Sequence, residues 1–232
     1  MGGALACEAK ENMSVDYFQQ HRAEMLPFVP TNRRRVLEIG CSSGLFSGSL
    51  EGASETWGIE PSDAADEAAK RLTTVIRGFF DDAKEKLPKN YFDVVICNDV
   101  IEHMRDHQKF LGEIGDYIAP GGMLVGSIPN VRFYNNLFEM VLEKDWLYTD
   151  DGILDRTHVA FFTEKSLRRT LERNGLRIVR LEGINTDYLV RTTRRAKIYR
   201  GMAKLLSIAS VGYFQDIRYL QFAFQAVPKH KS

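Results

Sequence analysis

Val36-Leu-Glu-Ile-Gly-Cys-Ser-Ser-Gly44 places a short apolar run directly before a turn rich in glycine and serine. A helix-like stretch and a second apolar run, Thr56-Trp-Gly-Ile59, follow it. Two short strands joined by a helix are typical of a parallel pair, and an open parallel sheet binds its ligand beyond the carboxyl ends of its strands. The stretch therefore predicts both the first strand of a parallel sheet and the position of a ligand site.

The alternation of strands and helices continues along the chain. We predict helices over 64–72 and 106–119 and strands over 74–77, 92–97 and 123–128. A later helix begins at Thr163 or Ser166 and ends near residue 174, and strands over 176–181 and 219–227 complete the sheet. This rhythm predicts an α/β fold of Rossmann-like type, in which a seven-stranded, mostly parallel sheet carries helices on both faces.

Length and composition favour one domain. With 232 residues, 44% of them hydrophobic, the chain can build one α/β core with additions to it. We expect a single domain over 1–232. Its additions are an N-terminal helical cap over 12–30 that stops near Pro27 and Pro30, an insertion over 129–162 after the fifth strand, and a basic helical insertion over 184–217.

Charge and cysteine content argue against several other classes of protein. The 31 basic residues balance the 31 acidic ones, so nucleic acid is not expected as the main partner. The 3 cysteines have no paired spacing, which indicates a reduced, cytoplasmic protein with neither a disulfide framework nor a metal site, and Cys97 is expected in the core. No apolar run approaches the length of roughly 18 residues that a membrane-spanning helix needs.

The side chains around the first turn discriminate between classes of cofactor. Ser42 stands where a dinucleotide-binding loop has its second glycine, so the turn departs from the pattern of nicotinamide-dependent oxidoreductases. The carboxylate of Glu38 would repel a pyrophosphate, but it suits a ligand that carries an ammonium and a sulfonium. Glu60 ends the second run, where a carboxylate can accept hydrogen bonds from both hydroxyls of an adenosine ribose. The alternative is that Glu60 caps the next helix.

Four motifs resemble, in order, those of the seven-stranded class of S-adenosylmethionine-dependent methyltransferases. They are Val36–Gly44, Gly58-Ile-Glu-Pro61, Phe92-Asp-Val-Val-Ile-Cys-Asn98 and Ile118-Ala-Pro-Gly-Gly-Met-Leu124, and the resemblance covers about residues 12–183. It implies S-adenosylmethionine as the cofactor, with Asp81 or Asp82 at the adenine and Phe79 or Phe80 packed on its ring. The candidate cofactor-binding residues are Glu38, Gly40, Cys41, Ser42, Gly44, Glu60, Pro61, Asp81, Asn98, Asp99 and Tyr17.

Two histidines are candidates for the general base that a neutral hydroxyl acceptor needs. His103 follows the fourth strand, and His158 lies three residues after Asp155, a spacing that brings both to one side of a turn. A carboxylate that fixes the tautomer of an imidazole is typical of such a base. The alternatives are that His103 only satisfies local backbone at a helix start, and that Asp155 pairs with Arg156 while His158 anchors the insertion.

The insertion carries a narrower resemblance. Segments Ser127–Val131, Trp146–Tyr148, Gly152–His158 and Phe161–Thr163 are similar to methyltransferases found with bacterial surface-polysaccharide and glycosyltransferase systems. This implies a sugar hydroxyl on a nucleotide- or lipid-linked glycan as the acceptor. The candidate acceptor-binding residues are Asn130, Tyr134, Trp146 and Tyr148. The aromatic rings could equally form the insertion's own core or bind a phenol or quinone precursor, and a noncatalytic cofactor-binding partner of a glycosyltransferase is a further alternative.

A basic segment follows the sixth strand. Arg191 to Lys204 contains six basic residues, and apolar residues recur at helical spacing at Ile198, Met202, Leu205, Leu206 and Ala209. We expect a helix over 191–209. Its apolar face could pack on the sheet or contribute to a homodimer. It could also make peripheral contact with the inner face of an anionic membrane.

Overall fold

One sheet of seven strands forms the frame of the protein. The computed structural model describes residues 22–186 and 194–229. The strands are β1 (Arg35–Ile39), β2 (Glu55–Glu60), β3 (Thr74–Arg77), β4 (Phe92–Asn98), β5 (Ile118–Pro129), β6 (Leu176–Ile184) and β7 (Gln221–Pro228). Their order across the sheet is β3-β2-β1-β4-β5-β7-β6. Strand β1 pairs in parallel with β2 and β4, β2 pairs in parallel with β3, and β7 runs antiparallel to β5 and β6, so the predicted fold class is confirmed.

Helices connect the strands. They are α1 (Leu45–Gly48), α2 (Ala64–Ala68), α3 (Phe80–Ala83), α4 (His107–Ile114), α5 (Tyr134–Phe138), α6 (Glu164–Arg173) and α7 (Arg194–Ala209). Shorter 3-10 turns lie at Ala23–Phe28, Lys84–Lys86, Ile101–His103, Gly115–Tyr117 and Gln215–Arg218, and a π-helical turn at Glu139–Glu143. The cap of α6 uses both predicted residues, because the Ser166 amide donates to Thr163 Oγ1 at 3.2 Å and the Thr163 amide donates to Ser166 Oγ at 2.9 Å.

The apolar runs of the sequence occupy the centre of the sheet. Val36 to Ile39 in β1 and Val94 to Cys97 in β4 are buried without interruption, as expected for strands covered on both faces. Cys97 is fully buried, which confirms its predicted place in the core. A carboxylate at the end of β1 and a polar side chain at the end of β4 are therefore held by rigid strands.

Two predicted boundaries are wrong. Helix α4 ends at Ile114, and β5 begins at Ile118, so Pro120-Gly-Gly122 lies inside the strand rather than in a turn before it. A Cβ atom on Gly122 would lie 2.8 Å from the backbone oxygen of Asp93, so this glycine allows the close approach of two backbones. At the N-terminus, Ala23–Phe28 forms a 3-10 turn that contains Pro27, while the rest of the predicted cap, residues 12–21, lies outside the described residues.

The described chain divides into two compact units. The first contains the residues up to Ile96 and Asp116–Gly122, and the second contains Cys97–Gly115 and the residues from Met123 onward. The second unit has an apolar core that joins both predicted insertions, formed by Phe133, Tyr134, Phe138, Ile153, Tyr199, Ala203 and Ile217. Helix α7 therefore packs on the insertion, and the prediction that its large apolar residues face the sheet is wrong. No helix in the described ranges is long and apolar enough to cross a membrane.

Candidate active site

The turn after β1 bends through left-handed backbone. Gly40, Ser42 and Gly44 have φ values of 68°, 47° and 74°. Glycine adopts this conformation without steric cost, whereas Ser42 has a Cβ atom that opposes it. A Cβ atom on Gly44 would lie 3.0 Å from the Leu72 side chain, so the turn is packed tightly against the residues that follow α2.

Glu60 at the end of β2 holds this turn. Its side chain is buried, with Oε2 accepting a hydrogen bond from the Ser42 amide at 2.8 Å and Oε1 accepting one from the Ser62 amide at 3.0 Å. Two hydrogen bonds leave further lone pairs on the carboxylate, which has about four acceptor positions. Glu60 is thus fixed by the backbone on both sides, and the predicted bonds to a ribose stay a prediction. Pro61, directly after it, is exposed.

Glu38 is buried beneath the same turn. Its Oε2 accepts a hydrogen bond from the Ser47 amide in α1 at 3.2 Å. Burial raises the pKa of Glu38 to about 7, because the ionised carboxylate loses solvation that one backbone donor does not replace. A cationic group bound nearby would stabilise the ionised form.

The backbone of Cys41 shapes the turn after β1, whereas its thiol packs in the core. The thiol packs among Ala68 and Leu72, and burial raises its pKa. A Cβ atom on Gly58 would lie 2.5 Å from the Cys41 sulfur, so the thiol fills the space that this glycine leaves. The Cys41 carbonyl accepts a hydrogen bond from the Gly44 amide at 2.8 Å and closes the turn.

The donor groups of the first unit suit S-adenosylmethionine. Ser42 Oγ is buried and has no hydrogen-bond partner among the described residues, so it can bond a carboxylate or amino group of a ligand. Two buried carboxylates, Glu38 and Glu60, provide acceptors for cationic and hydroxyl groups. Phe79, two residues after the end of β3, is 68% exposed and offers a ring face for an adenine.

The other predicted residues near β3 have different surroundings. Asp81 forms an ion pair with Lys84 at 3.2 Å on the surface, and Phe80 is buried with its ring edge-on to Tyr117. Phe80 is therefore a core residue and its predicted packing on the adenine ring is corrected, while that role for Phe79 stays a prediction. Tyr17, the remaining predicted cofactor residue, lies outside the described residues.

Asn98 and Asp99 end β4 in contrasting states. Both polar atoms of the Asn98 side chain are buried without a hydrogen-bond partner in residues 22–186 and 194–229, which is costly unless a ligand completes them. Asp99 instead accepts hydrogen bonds from Ser127 Oγ at 2.8 Å and from Gln221 Nε2 at 2.7 Å. Asn98 is thus the better placed of the two to bind a ligand, and Asp99 ties β4 to β5 and β7.

Two imidazoles lie against each other in the second unit. The rings of His103 and His158 have centroids 4.6 Å apart and meet edge to face. His158 Nδ1 lies 2.8 Å from the Ile153 carbonyl, an acceptor, so Nδ1 carries the proton and Nε2 carries the lone pair. The carbonyl of Glu102 accepts hydrogen bonds from the amides of Val159 and Ala160, which fixes the segment around His158 next to His103.

Asp155 orients His103 rather than His158, contrary to the predicted pairing. Thr157 Oγ1 donates to Asp155 Oδ1 at 2.6 Å and lies 3.0 Å from His103 Nδ1. Because the threonine has one hydroxyl proton and donates it to the carboxylate, its oxygen accepts from His103 Nδ1, and Nε2 is again the free nitrogen. Arg156 pairs with Asp150 at 3.0 Å, so the predicted alternative pairing with Asp155 is also wrong.

Desolvation lowers the pKa of His103 below its ordinary value, and the neighbouring His158 adds to the shift. His103 is therefore neutral near pH 7 and able to accept a proton. In the described part of the chain, Glu102, His103 and His158 also offer ligand atoms within 4.8 Å of one another, a grouping that could hold a metal ion although the sequence predicts none.

Two predicted acceptor-binding residues are structural. Asn130 is fully buried, donates to the carbonyls of Asp216 and Tyr219 at 2.8 and 2.9 Å, and accepts from the Arg132 amide at 3.0 Å. Tyr134 is only 1% exposed and belongs to the core of the insertion. Neither side chain presents a surface to an acceptor, so their proposed role in binding one is corrected to packing.

The other two aromatic residues line the surface near His158. Trp146 and Tyr148 are 37% and 41% exposed, and both contact the ring of Phe161, at 5.3 and 6.3 Å between centroids. A shallow open cavity of about 260 Å³ is lined by Tyr148, Arg156 and His158. Sequence reasoning missed Thr157 and Phe161 as functional candidates, although both lie in the segment that it singled out.

The chain is similar to known methyltransferases. The methyltransferase-domain family matches residues 10–181. A ubiquinone biosynthesis O-methyltransferase of Vibrio atlanticus (strain LGP32) is 29% identical over 170 residues, which cover 69% of this chain and 70% of that protein. A protein of the same description from Colwellia psychrerythraea is 27% identical over 185 residues, covering 75% of this chain and 74% of that one.

Solved structures share the fold. A SAM-dependent methyltransferase from Archaeoglobus fulgidus has a TM-score of 0.65 and 17% identity, over 93% of this chain and 98% of that one. A Haloferax volcanii methyltransferase in complex with the Trm112 activator has a TM-score of 0.66 and 16% identity, over 98% of this chain and 96% of that one.

Proposed function

Because the chain belongs to the methyltransferase-domain family and is an S-adenosylmethionine-dependent methyltransferase, we propose that it methylates a hydroxyl group on a small aromatic acceptor of phenol or quinol type. The observation that carries this proposal is the set of half-exposed aromatic rings beside the histidine pair, Trp146, Tyr148 and Phe161. Relatives described as ubiquinone biosynthesis O-methyltransferases support the same class of acceptor.

The sugar acceptor that the narrower resemblance implies receives less support. Of its four candidate residues, Asn130 and Tyr134 are buried and occupied by contacts within the protein. The remaining two, Trp146 and Tyr148, are aromatic and suit a planar ring. A glycan also needs several polar contacts. The charged side chain that lines the cavity beside the aromatic rings is Arg156.

The donor side is proposed to work by position and charge. S-adenosylmethionine supplies an activated methyl group on a sulfonium. Glu60 would accept hydrogen bonds from the ribose hydroxyls, Glu38 would provide negative charge for the cationic end, and the buried hydroxyl of Ser42 would bond the amino-acid end. An in-line displacement from such a donor would gain much of its rate from alignment of donor and acceptor.

We propose His103 as the general base. Its Nε2 lone pair is free, its lowered pKa keeps it neutral, and Thr157 with Asp155 stabilises the imidazolium that forms when it takes the hydroxyl proton. His158 contacts the acceptor at the cavity that it lines with Tyr148.

A panel of acceptors tests this proposal. The purified full chain is incubated with S-adenosylmethionine and either catechols and hydroquinones or nucleotide sugars, and release of S-adenosylhomocysteine is measured. We expect turnover with the phenols, and a raised KM for the phenol in Tyr148→Ala. The matched control is Tyr91→Ala, because the Tyr91 ring packs on Arg35 on another surface. Turnover with the nucleotide sugars alone would show that the acceptor is a sugar rather than a phenol. Cofactor binding without turnover on phenols or sugars would support a noncatalytic partner.

The assay also separates a histidine base from a bound cation. Because a free imidazole needs no metal to accept a proton, we expect turnover to persist after dialysis against EDTA. Loss of turnover that a divalent cation restores would assign activation of the hydroxyl to a metal at Glu102, His103 and His158 instead.

A further inference from the structure

Helix α7 has two apolar faces, of which residues 22–186 and 194–229 cover one. Its inner face consists of Ala196, Tyr199, Ala203 and Ser207, which are buried against the core of the insertion. Tyr199 Oη also donates to Glu143 at 2.9 Å. Residues spaced by three and four positions lie on one side of a helix, so these four define the attached face.

The opposite face carries large aliphatic residues in contact with solvent. Ile198, Met202, Leu205 and Ile208 repeat at the same helical spacing, half a turn away from the buried residues. Leu205 and Ile208 are 68% and 67% exposed. Beyond the end of the helix, Val211 is 96% exposed and Tyr213 is 73% exposed. A contiguous row of this kind is unusual on a soluble surface and marks an interaction site.

A row of cations borders this apolar face. Lys197, Arg200 and Lys204 are exposed and follow one another at intervals of three and four residues, which places them along one side of the aliphatic row. The helix Arg194–Ala209 contains no acidic residue. Apolar side chains flanked by lysine and arginine on one helix match the surface of an anionic bilayer, in which acyl chains lie under negative headgroups.

From this arrangement we propose that the outer face of α7, with Val211 and Tyr213, docks on an anionic membrane surface. The aliphatic side chains enter the boundary between headgroups and acyl chains, and the lysine and arginine side chains reach the phosphates. A second copy of the chain fits less well, because pairing α7 with α7 would bring two rows of positive charge together without a carboxylate from either helix. The proposal concerns a surface and is independent of the acceptor.

Vesicle co-sedimentation of the full chain tests the proposal. The vesicles consist of phosphatidylcholine alone or of phosphatidylcholine mixed with phosphatidylglycerol. We expect binding to the mixed vesicles that weakens with added salt, and little binding to phosphatidylcholine alone. Leu205→Asp should reduce binding to the mixed vesicles about tenfold or more, since it places a charge in the apolar row. Lys197→Gln and Lys204→Gln should each reduce it about fivefold, the expected effect of one lysine near an anionic surface.

The matched control is Val179→Asp, which adds the same charge at an exposed valine of β6. This variant should bind vesicles as the wild-type chain does. Thermal unfolding of each variant verifies that it is folded. Equal sedimentation of Leu205→Asp and wild type, or no sedimentation of wild type with phosphatidylglycerol, would overturn the proposal. A dimer in light scattering that Leu205→Asp dissociates would also overturn it and assign the face to a second copy.

Discussion

The turn after β1 and the insertion over 129–162 differ in the burial and the chemistry of their side chains. In the turn, polar groups are buried and already fixed, with the Glu60 carboxylate held by two backbone amides. In the insertion, aromatic rings are half-exposed, and the cavity beside His158 is shallow. A rigid, acidic turn suits a ligand with hydroxyl and cationic groups, whereas an open aromatic surface suits a planar ring. The difference teaches that one chain carries two surfaces of distinct chemistry, and the proposed function assigns the donor to the first and the acceptor to the second.

Removing the carboxylate of Glu60 should have the largest effect on the donor side. Glu60→Ala removes the predicted ribose acceptor and frees the amides of Ser42 and Ser62, so we expect the Kd for S-adenosylmethionine to rise about 100-fold, as two charged hydrogen bonds are lost. Calorimetric titration measures this. Glu51→Ala, at an exposed glutamate, is the control. An unchanged Kd in Glu60→Ala would remove the turn's assigned role.

The protonation of the buried Glu38 predicts how the stability of the protein depends on pH. Its folded-state pKa of about 7 lies above the ordinary value of 4.5, so between these values the folded state keeps a proton that the unfolded state releases. Stability should therefore fall as pH rises from 4.5 to 7, by on the order of 1 kcal/mol per pH unit, and level off above it.

Glu38→Gln should lose this slope, because glutamine does not titrate. Urea unfolding of both proteins at several pH values measures the difference. Parallel stability curves for the two proteins would show that the pKa of Glu38 is the same in the folded and unfolded states, contrary to the expected shift.

The hydrogen bonds that link Asp155, Thr157 and His103 predict a smaller effect, on the rate of turnover. Thr157→Val removes the oxygen that accepts from His103 Nδ1, so we expect turnover to fall about tenfold, less than the ~10²–10⁴-fold that a base contributes because the base itself remains, while the acid limb of kcat/KM moves to lower pH. The pKa of the imidazole falls because its protonated form loses a partner. Thr157→Ser keeps the hydroxyl and should restore both readouts; failure of this rescue would show that Thr157 acts only by packing.

The smallest effect concerns the strained residue of the turn. Ser42→Gly removes a Cβ atom from left-handed backbone, so stability should rise by up to about 1 kcal/mol, less the entropy that glycine adds to the unfolded chain. Affinity for S-adenosylmethionine should fall about fivefold, because the buried hydroxyl is lost. Chemical unfolding and calorimetry give the two values. Unchanged affinity would leave the Ser42 hydroxyl without a role in cofactor binding.

Sequence separation decides which contacts of each region could be predicted from the sequence. The Glu60 to Ser42 hydrogen bond spans 18 residues, and both ends belong to one strand–turn–strand pattern that the apolar runs reveal. The Asn130 amide instead reaches carbonyls 86 and 89 residues away, and His103 meets Thr157 across 54 residues. No local pattern encodes such pairs, so sequence reasoning named both histidines of the pair but assigned the wrong partner to Asp155.

The outward face of α7 likewise could not be identified from the local sequence pattern. Its apolar spacing predicted a helix correctly, but two apolar faces are present, and the buried one uses smaller residues together with Tyr199. Only the packing on Phe133 and Phe138 decides which face is covered.

The most direct test of separate donor and acceptor regions is single-turnover methylation by His103→Gln at saturating S-adenosylmethionine. The account predicts a methyl-transfer rate about 100-fold or more below wild type, as expected for loss of a general base, with the Kd for the cofactor unchanged. His107→Gln, a change of the same kind four residues away, should retain the wild-type rate. A wild-type rate in His103→Gln, or a Kd that weakens in parallel with the rate, would contradict the account.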